Sequence, residues 1–234
     1  MESSGSSISK KRLRLELYSV LLLALLILYI RKTALVASVL AAVPVLGASI
    51  PFFVLSMGIL VWFLRTGRSW SDFGLHRPQS LVLTLAWGVG AGAVRLSSSH
   101  LLSPIVTRLT GAEPILNRIE PLQGDLLLLL VLTPLMWLTI GIGEEVLHRG
   151  FVMTWLSTIW GNSSRAWLLA LLVQAIIFGS GHAYQGSAGV ILTSISALIY
   201  GGVFILSGRN LWAAAIAHSL ANTVGFVESY LAGG

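Results

Sequence analysis

Long apolar stretches restrict the possible folds of this chain more than any other feature of its sequence. A helix of about 20 apolar residues is long enough to cross a hydrocarbon core of about 30 Å. Only 10% of the residues are charged, and the mean hydropathy is +0.84. We therefore predict an all-α fold, a polytopic transmembrane helical bundle. The predicted spans lie near residues 16–30, 34–64, 81–97, 125–142, 166–181, 187–207 and 211–231.

The second of these runs is too long for one straight crossing. Pro44, Gly47 and Pro51 fall within it. Proline removes a backbone donor and clashes with the preceding turn, so these residues can kink the helix or divide it into a hairpin. The sequence therefore predicts seven or eight hydrophobic helices and leaves the choice open.

The basic residues indicate membrane topology rather than nucleic-acid binding. The formal net charge is +6, but the lysines and arginines are spread over short loops and form no single basic face. Residues 10–14 are rich in lysine and arginine and precede the first apolar run, which predicts a cytoplasmic N-terminus. We expect the lipid bilayer as a partner and no nucleic acid. The chain has no cysteine, which excludes disulfides, thiolate metal sites and a cysteine nucleophile.

The segment "IGIGEEVLHRGF" (140–151) places charged groups next to an apolar run. Charges at membrane depth cost roughly 2.5–3.5 kcal/mol each, so they usually face a bundle interior. On a helix, Glu145 and Arg149 are four residues apart and can pair, whereas Glu144 points about 100° away, on the face that it shares with His148. We therefore expect Glu145 to be a structural carboxylate. Burial can tune the proton affinity of Glu144, which suits a general base.

Two further apolar segments carry polar pairs with the same spacing. "FGSGH" contains Phe178 and His182, and "HSLAN" contains His218 and Asn222. Each group also has a purely structural interpretation, because ion pairs, histidines and asparagines can simply join packed helices. Three such groups on three different helices favour a functional site.

The three motifs resemble those of a known family. Glu-Glu-x-x-x-Arg at 144–149, Phe-x-x-x-His at 178–182 and His-x-x-x-Asn at 218–222 occur in the order found in the CAAX protease and bacteriocin-processing family, also called the Abi family of intramembrane endopeptidases. "DFGLHRP" at 72–78 is similar to a segment that often lies upstream of these motifs. The resemblance spans about residues 69–226.

The resemblance implies a peptidase that acts on a membrane-associated or prenylated, CAAX-type substrate without a covalent intermediate. Glu144 is then the base that activates water with the help of His182, and His218 and Asn222 stabilise the oxyanion. No cofactor or metal ion is implied. The implied catalytic residues are Glu144, His182, His218 and Asn222, and the implied supporting residues are Glu145, Arg149 and Phe178.

Composition, hydropathy and the resemblance together suggest how the chain is organised. We predict a basic, disordered cytoplasmic tail (1–15), N-terminal membrane helices (16–64) and a membrane-embedded catalytic core (65–234). The compact loops favour the plasma membrane of a prokaryote. Neither the physiological substrate nor the oligomeric state follows from these residues.

A metal-dependent mechanism is one alternative. Glu144, His148, His182 and His218 could surround a metal ion, although the His-Glu-x-x-His motif of zinc peptidases is absent. Outside this alternative, His148 is interpreted as an incidental residue at the membrane interface. Arg95 is interpreted as interfacial as well.

Other proteases and other classes of protein also stay open. Ser180 and His218 could form a rhomboid-like pair, but we interpret Ser180 as a small residue that allows close helix packing. Asp72 and Asp125 are not spaced like an aspartyl dyad. The alternatives to an enzyme are a membrane scaffold, a bacteriocin self-immunity protein and a proton-coupled transporter, although no inverted repeat supports transport.

Overall fold

The computed structural model describes residues 9–30 and 50–233. In these residues the chain forms seven main helices and no strands, which confirms the all-α prediction. Pro44 and Gly47, on which the choice between seven and eight helices depends, lie outside the described residues. Short 3-10 turns occur at Trp70–Phe73, Asn117–Leu122 and Ala183–Gln185. The main helices are α1 (Lys10–Ile30), α2 (Ile50–Arg65), α3 (Leu81–Thr110), α4 (Leu126–Ile159), α5 (Ser164–Gly181), α6 (Gly186–Leu206) and α7 (Leu211–Leu231).

Four helices, α3 to α6, are long and apolar enough to cross a membrane. Large apolar side chains also cover much of the outer surface: Leu109 is 79% exposed, Val82 75% and Leu127 73%. An apolar exterior of this extent suits contact with lipid and not with water. The chain is therefore a multi-pass integral membrane protein. Helix α7 contains more polar residues and packs against α3 and α6.

Helix α3 is longer than the sequence predicted. We expected a span that ends near residue 97 and a polar loop after it, but the helix continues to Thr110. The helix ends at Gly111, which adopts φ 70°. Pro104 is accommodated inside the helix. The serine-rich segment is therefore part of a helix wall and not a loop.

Helix α4 also extends beyond its predicted end at residue 142 and reaches Ile159. Two π-helical segments, Trp137–Ile142 and Val146–Met153, enclose the short α-helical turn Gly143–Glu145. Such wide turns are rare and often lie at functional sites. Glu144 therefore lies near the middle of a 34-residue helix and not near the end of its span.

Glycines allow two neighbouring elements to approach α4 closely. A Cβ atom at Gly143 would lie 2.8 Å from the Phe53 ring of α2. A Cβ at Gly150 would lie 2.9 Å from the carbonyl oxygen of Phe73. The helix that carries the two adjacent glutamates is therefore held on several sides by direct packing, which fixes the orientation of its side chains.

A buried ion-pair network joins α1 to the rest of the bundle. Glu16 of α1 is 7% exposed. Its carboxylate accepts hydrogen bonds from Arg12 Nε at 3.0 Å, Arg68 Nη2 at 2.9 Å and Trp155 Nε1 of α4 at 2.9 Å. The Arg68 guanidinium also lies 4.9 Å from the centre of the Trp155 ring. One carboxylate therefore connects the first helix to the loop after α2 and to α4.

We expect Glu16→Ala to destabilise the protein by about 2–3 kcal/mol, because it leaves Arg68 and the Trp155 indole N–H buried without an acceptor. The measurement is the free energy of unfolding from an SDS titration in mixed micelles. Glu113→Ala, at an exposed position, is the matched control and should change this value little. Equal stability of the two variants would contradict a structural role for the network.

Candidate active site

A cavity of about 820 Å³ opens between the helices, and its lining is mainly apolar. All seven main helices except α2 contribute to its wall, and α1 contributes Val20, Leu21, Ala24 and Leu25. The residues that the three motifs singled out as catalytic or cavity-shaping all line this space. They are Glu144, Phe178, His182, His218 and Asn222.

The supporting ion pair lies directly behind the cavity wall. Glu145 and Arg149 are both 0% exposed, and Arg149 Nη1 lies 2.8 Å from Glu145 Oε1. The predicted i, i+4 pair is therefore present. His218 Nδ1 of α7 lies 2.8 Å from the same carboxylate oxygen. Glu145 thus connects a partner on its own helix with a residue of the motif on α7.

The guanidinium of Arg149 extends this network to α6. Arg149 Nη2 donates to the carbonyl oxygen of Ala197 at 3.0 Å, and Gln174 of α5 donates to the same oxygen at 3.1 Å. The guanidinium also lies 4.9 Å from the centre of the Phe178 ring and 5.5 Å from that of Tyr200. These contacts can stabilise a buried cation through the faces of the rings. Four helices, α4 to α7, are therefore joined around one ion pair.

Phe178 brings three histidines together. Its ring centre lies 4.7 Å from that of His182, 4.9 Å from that of His148 and 6.0 Å from that of His218. The three histidines come from α4, the end of α5 and α7. The aromatic ring thus contacts all three imidazoles, and all four side chains line the cavity. This geometry agrees with the interpretation of Phe178 as a residue that shapes the site.

The two adjacent glutamates have opposite surroundings. Glu145 is enclosed and accepts from both Arg149 and His218. Glu144 lines the cavity, and no protein group in the described residues makes a hydrogen bond with its side chain; its Oε2 is buried without a partner. A carboxylate in this position can accept a hydrogen bond from a water or substrate molecule in the cavity.

The hydrogen bonds of the two motif histidines determine where each ring carries its proton. His182 Nδ1 lies 2.9 Å from the carbonyl oxygen of Phe178, which can only accept, so Nδ1 carries hydrogen and Nε2 of the neutral ring is an acceptor. His218 Nδ1 faces the Glu145 carboxylate and donates to it in the same way. Asn222 lies one helical turn after His218 and faces the same cavity.

Two residues at the site had no part in the peptidase site that the sequence implied. His148 lines the cavity beside Phe178 and is not an incidental interfacial residue; its Nδ1 is buried without a partner. Its position four residues after Glu144, on the same helix face, was the sequence signal that could have placed it in the cavity. Tyr200 of α6 stacks on His218, with ring centres 4.6 Å apart and an angle of 20° between the planes. No sequence pattern marks Tyr200, because this contact depends on how α6 packs against α7.

The structure also shows where the residues of the alternative mechanisms lie. Ser180 is exposed and lines the cavity, and the close helix contact that we assigned to it is made by Gly179 against Ser194. Asp72 and Asp125 each accept a backbone N–H at the start of a helix or turn, both at 2.8 Å. Across residues 9–30 and 50–233, no group of three or more His, Asp or Glu side chains is arranged to hold a metal ion.

Comparison with known proteins gives one match. Residues 126–224 match the family described as "Type II CAAX prenyl endopeptidase Rce1-like". The matched stretch begins with α4 and includes all three motifs. No curated protein and no solved structure matches the chain.

We expect Arg149→Met to destabilise the protein by about 3–5 kcal/mol, because it leaves the Glu145 carboxylate buried without its guanidinium partner. SDS titration again measures the free energy of unfolding. Arg108→Met, at an exposed position of α3, is the control. The double variant Glu145→Gln/Arg149→Met should recover much of the loss, since it removes the uncompensated charge. A double variant as unstable as the sum of the two single variants would rule out this coupling.

Proposed function

We propose that this protein is an intramembrane peptidase that hydrolyses a peptide bond by means of a water activated by Glu144, because residues 126–224 match the Rce1-like family of type II CAAX prenyl endopeptidases. The substrate is a membrane-associated or prenylated protein of the CAAX type. The observation that carries the mechanism is the contrast between Glu144, which is unpaired and faces the cavity, and Glu145, which is enclosed and paired twice.

The reaction begins with a water molecule between Glu144 and the scissile carbonyl. Glu144 takes a proton as the water oxygen attacks the carbonyl carbon. Nε2 of His182, an acceptor in the neutral ring, orients the second hydrogen of this water. The C–N bond of the tetrahedral intermediate then breaks, and the proton passes from Glu144 to the leaving amine. No covalent enzyme intermediate is needed.

His218 and Asn222 form the oxyanion site in this mechanism. They are one turn apart on α7, so their side chains can approach one substrate oxygen together. His218 Nδ1–H donates to Glu145, and an imidazolium ring can donate from Nε2 as well. The Glu145 carboxylate balances the charge of that ring, while Tyr200 holds its plane by stacking. Such donors stabilise the charge that develops in the transition state.

The cavity suits a substrate with both apolar and peptide parts. Its wall is mainly apolar, and α1 adds four apolar side chains to it. A bound lipid group would gain about 0.8 kcal/mol for each CH₂ that it buries. Three histidines lie together around Phe178, where the peptide bond would be cleaved. A lipidated peptide fits this division better than a soluble one.

We expect Glu144→Gln to lower kcat by at least about 10²–10⁴-fold, the usual contribution of a general base, because the amide cannot accept the proton of water. Cleavage of a farnesylated CAAX peptide by detergent-purified protein is followed by mass spectrometry of the new termini. The SDS unfolding curve should stay close to that of the wild type, since Glu144 makes no hydrogen bond to the described protein groups. Full activity of Glu144→Gln would refute the assignment.

The same assay with and without a chelator tests the metal-dependent alternative. Glutamate-activated hydrolysis predicts equal rates in both samples. Loss of activity on chelation, regained when one metal ion per chain is added back, would favour a metal mechanism. If well-folded wild type formed no product from the CAAX peptide or from a mixed library of membrane peptides, a scaffold would be the better interpretation.

We expect Asn222→Ala to lower kcat by about 10²–10³-fold and to change KM little, because an oxyanion donor acts mainly in the transition state. Steady-state cleavage of the farnesylated peptide measures both constants. Asn222→Asp, which keeps the size but loses the N–H donor, should be equally impaired. A rise in KM at unchanged kcat would instead indicate a role in substrate binding.

A further inference from the structure

A stripe of polar residues on α3 has no part in the mechanism above. Arg95, Ser99 and Ser103 are spaced four residues apart, so they lie along one face of the helix, and all three line the cavity. The sequence suggested an interfacial role for Arg95. In the structure Arg95 is in the middle of a 30-residue helix, about 20 Å from either end at 1.5 Å per residue.

Hydrogen bonding distinguishes this stripe from the hydroxyl groups of α6 that line the same cavity. On α6, Thr193 donates to the carbonyl oxygen of Gly189 at 2.7 Å, and Ser196 donates to that of Leu192 at 2.9 Å. The hydroxyls of Ser99 and Ser103 make no such bond to any described residue. Their hydrogen-bonding capacity is therefore available to a ligand in the cavity.

Arg95 is also a cation without an anion among the described residues. The ion pairs of the cavity region join Arg149 and His218 to Glu145 and do not include Arg95. Arg95 Nε is buried without a hydrogen-bond partner. A guanidinium in a mainly apolar cavity at membrane depth is costly and usually marks the position of a negative partner. The missing partner is most simply supplied by the ligand.

We propose that Arg95, with Ser99 and Ser103 beside it, binds the free C-terminal carboxylate of the peptide substrate. This inference rests on the proposed peptidase function. It adds that the enzyme recognises the C-terminal end of its substrate. A guanidinium binds a carboxylate through two parallel hydrogen bonds, and the serine hydroxyls can bind the neighbouring backbone.

A carboxylate bound at Arg95 would lie in the same cavity as the scissile bond. Arg95, His218 and Tyr200 all line that cavity. One cavity can therefore hold the reacting carbonyl at the oxyanion site and the end of the chain at Arg95. Lipid phosphates also carry negative charge, but the mid-helix position of Arg95 is far from the headgroup region.

The test compares two farnesylated CAAX peptides that differ only at the C-terminus, one with a free carboxylate and one with an amide. Their affinities for wild-type protein in neutral detergent micelles are measured by fluorescence anisotropy at 4 °C, and kcat/KM is measured in parallel. We expect the free acid to bind about 10- to 100-fold more tightly, the effect of a charge-assisted hydrogen bond. Arg95→Met should remove this preference without weakening binding of the amide.

Two further variants make the result specific. Arg95→Lys keeps the charge but not the two parallel hydrogen bonds, so it should keep part of the preference. Arg108→Met lies on the same helix, is exposed and does not line the cavity, so it should behave as wild type. The SDS unfolding curves of all variants show whether Arg95→Met is folded; if it is not, the acid and amide affinities of wild type and Arg95→Lys carry the test.

Equal binding of acid and amide by wild type, or no binding of either peptide, would overturn the proposal. Displacement of the amide and acid peptides alike by phosphatidic acid, lost in Arg95→Met, would overturn it too, in favour of a lipid phosphate site. The preference for the free acid and the effect of Glu144→Gln on cleavage are measured separately, so the two hypotheses can fail separately. Active Glu144→Gln protein would refute the mechanism, whereas cleavage that is indifferent to the chain end would refute only the role of Arg95.

Discussion

The buried carboxylate of Glu145 is the interaction on which the rest of the structure depends. Removing an ion from water costs several kcal/mol, and only close, well-oriented partners offset that cost. Arg149 and His218 supply these partners, both at 2.8 Å. Because Arg149 also reaches the Ala197 carbonyl on α6, the charge at Glu145 can be accommodated only when these helices are packed together. The ion pair at the site therefore depends on the packing of these helices.

The pairing of Glu145 leaves the side chain of Glu144 without a hydrogen-bond partner among the described residues. One oxygen of Glu145 holds two donors, so those donors do not turn toward Glu144, which faces the cavity unpaired. The π-helical turns on either side of the two glutamates widen the backbone where these side chains diverge. Adjacent residues of identical chemistry thereby acquire different tasks, one in organising the site and one in the proposed reaction.

The membrane explains why polar groups gather in one place. With lipid outside, apolar side chains can face outward, and each polar side chain needs either a protein partner or an aqueous cavity. Glu16 shows the first solution, since it joins α1 to Arg68 and Trp155. Arg95 shows the second, since it lines the cavity without a partner. The same cavity wall includes α1, so the N-terminal helix contributes to the proposed substrate site.

Residue spacing was enough to predict the helical bundle, the Glu145–Arg149 pair and the shared face of Glu144 and His148, because the helix period alone places residues that are four apart on one side. It was not enough to predict that His218 bonds to Glu145, 73 residues away, or that Tyr200 stacks on His218. Helix ends were also misjudged, since the serines of α3 do not break a helix. Contacts between helices depend on packing, which no local period encodes. The tertiary structure therefore decided which polar residues are paired and which face the cavity.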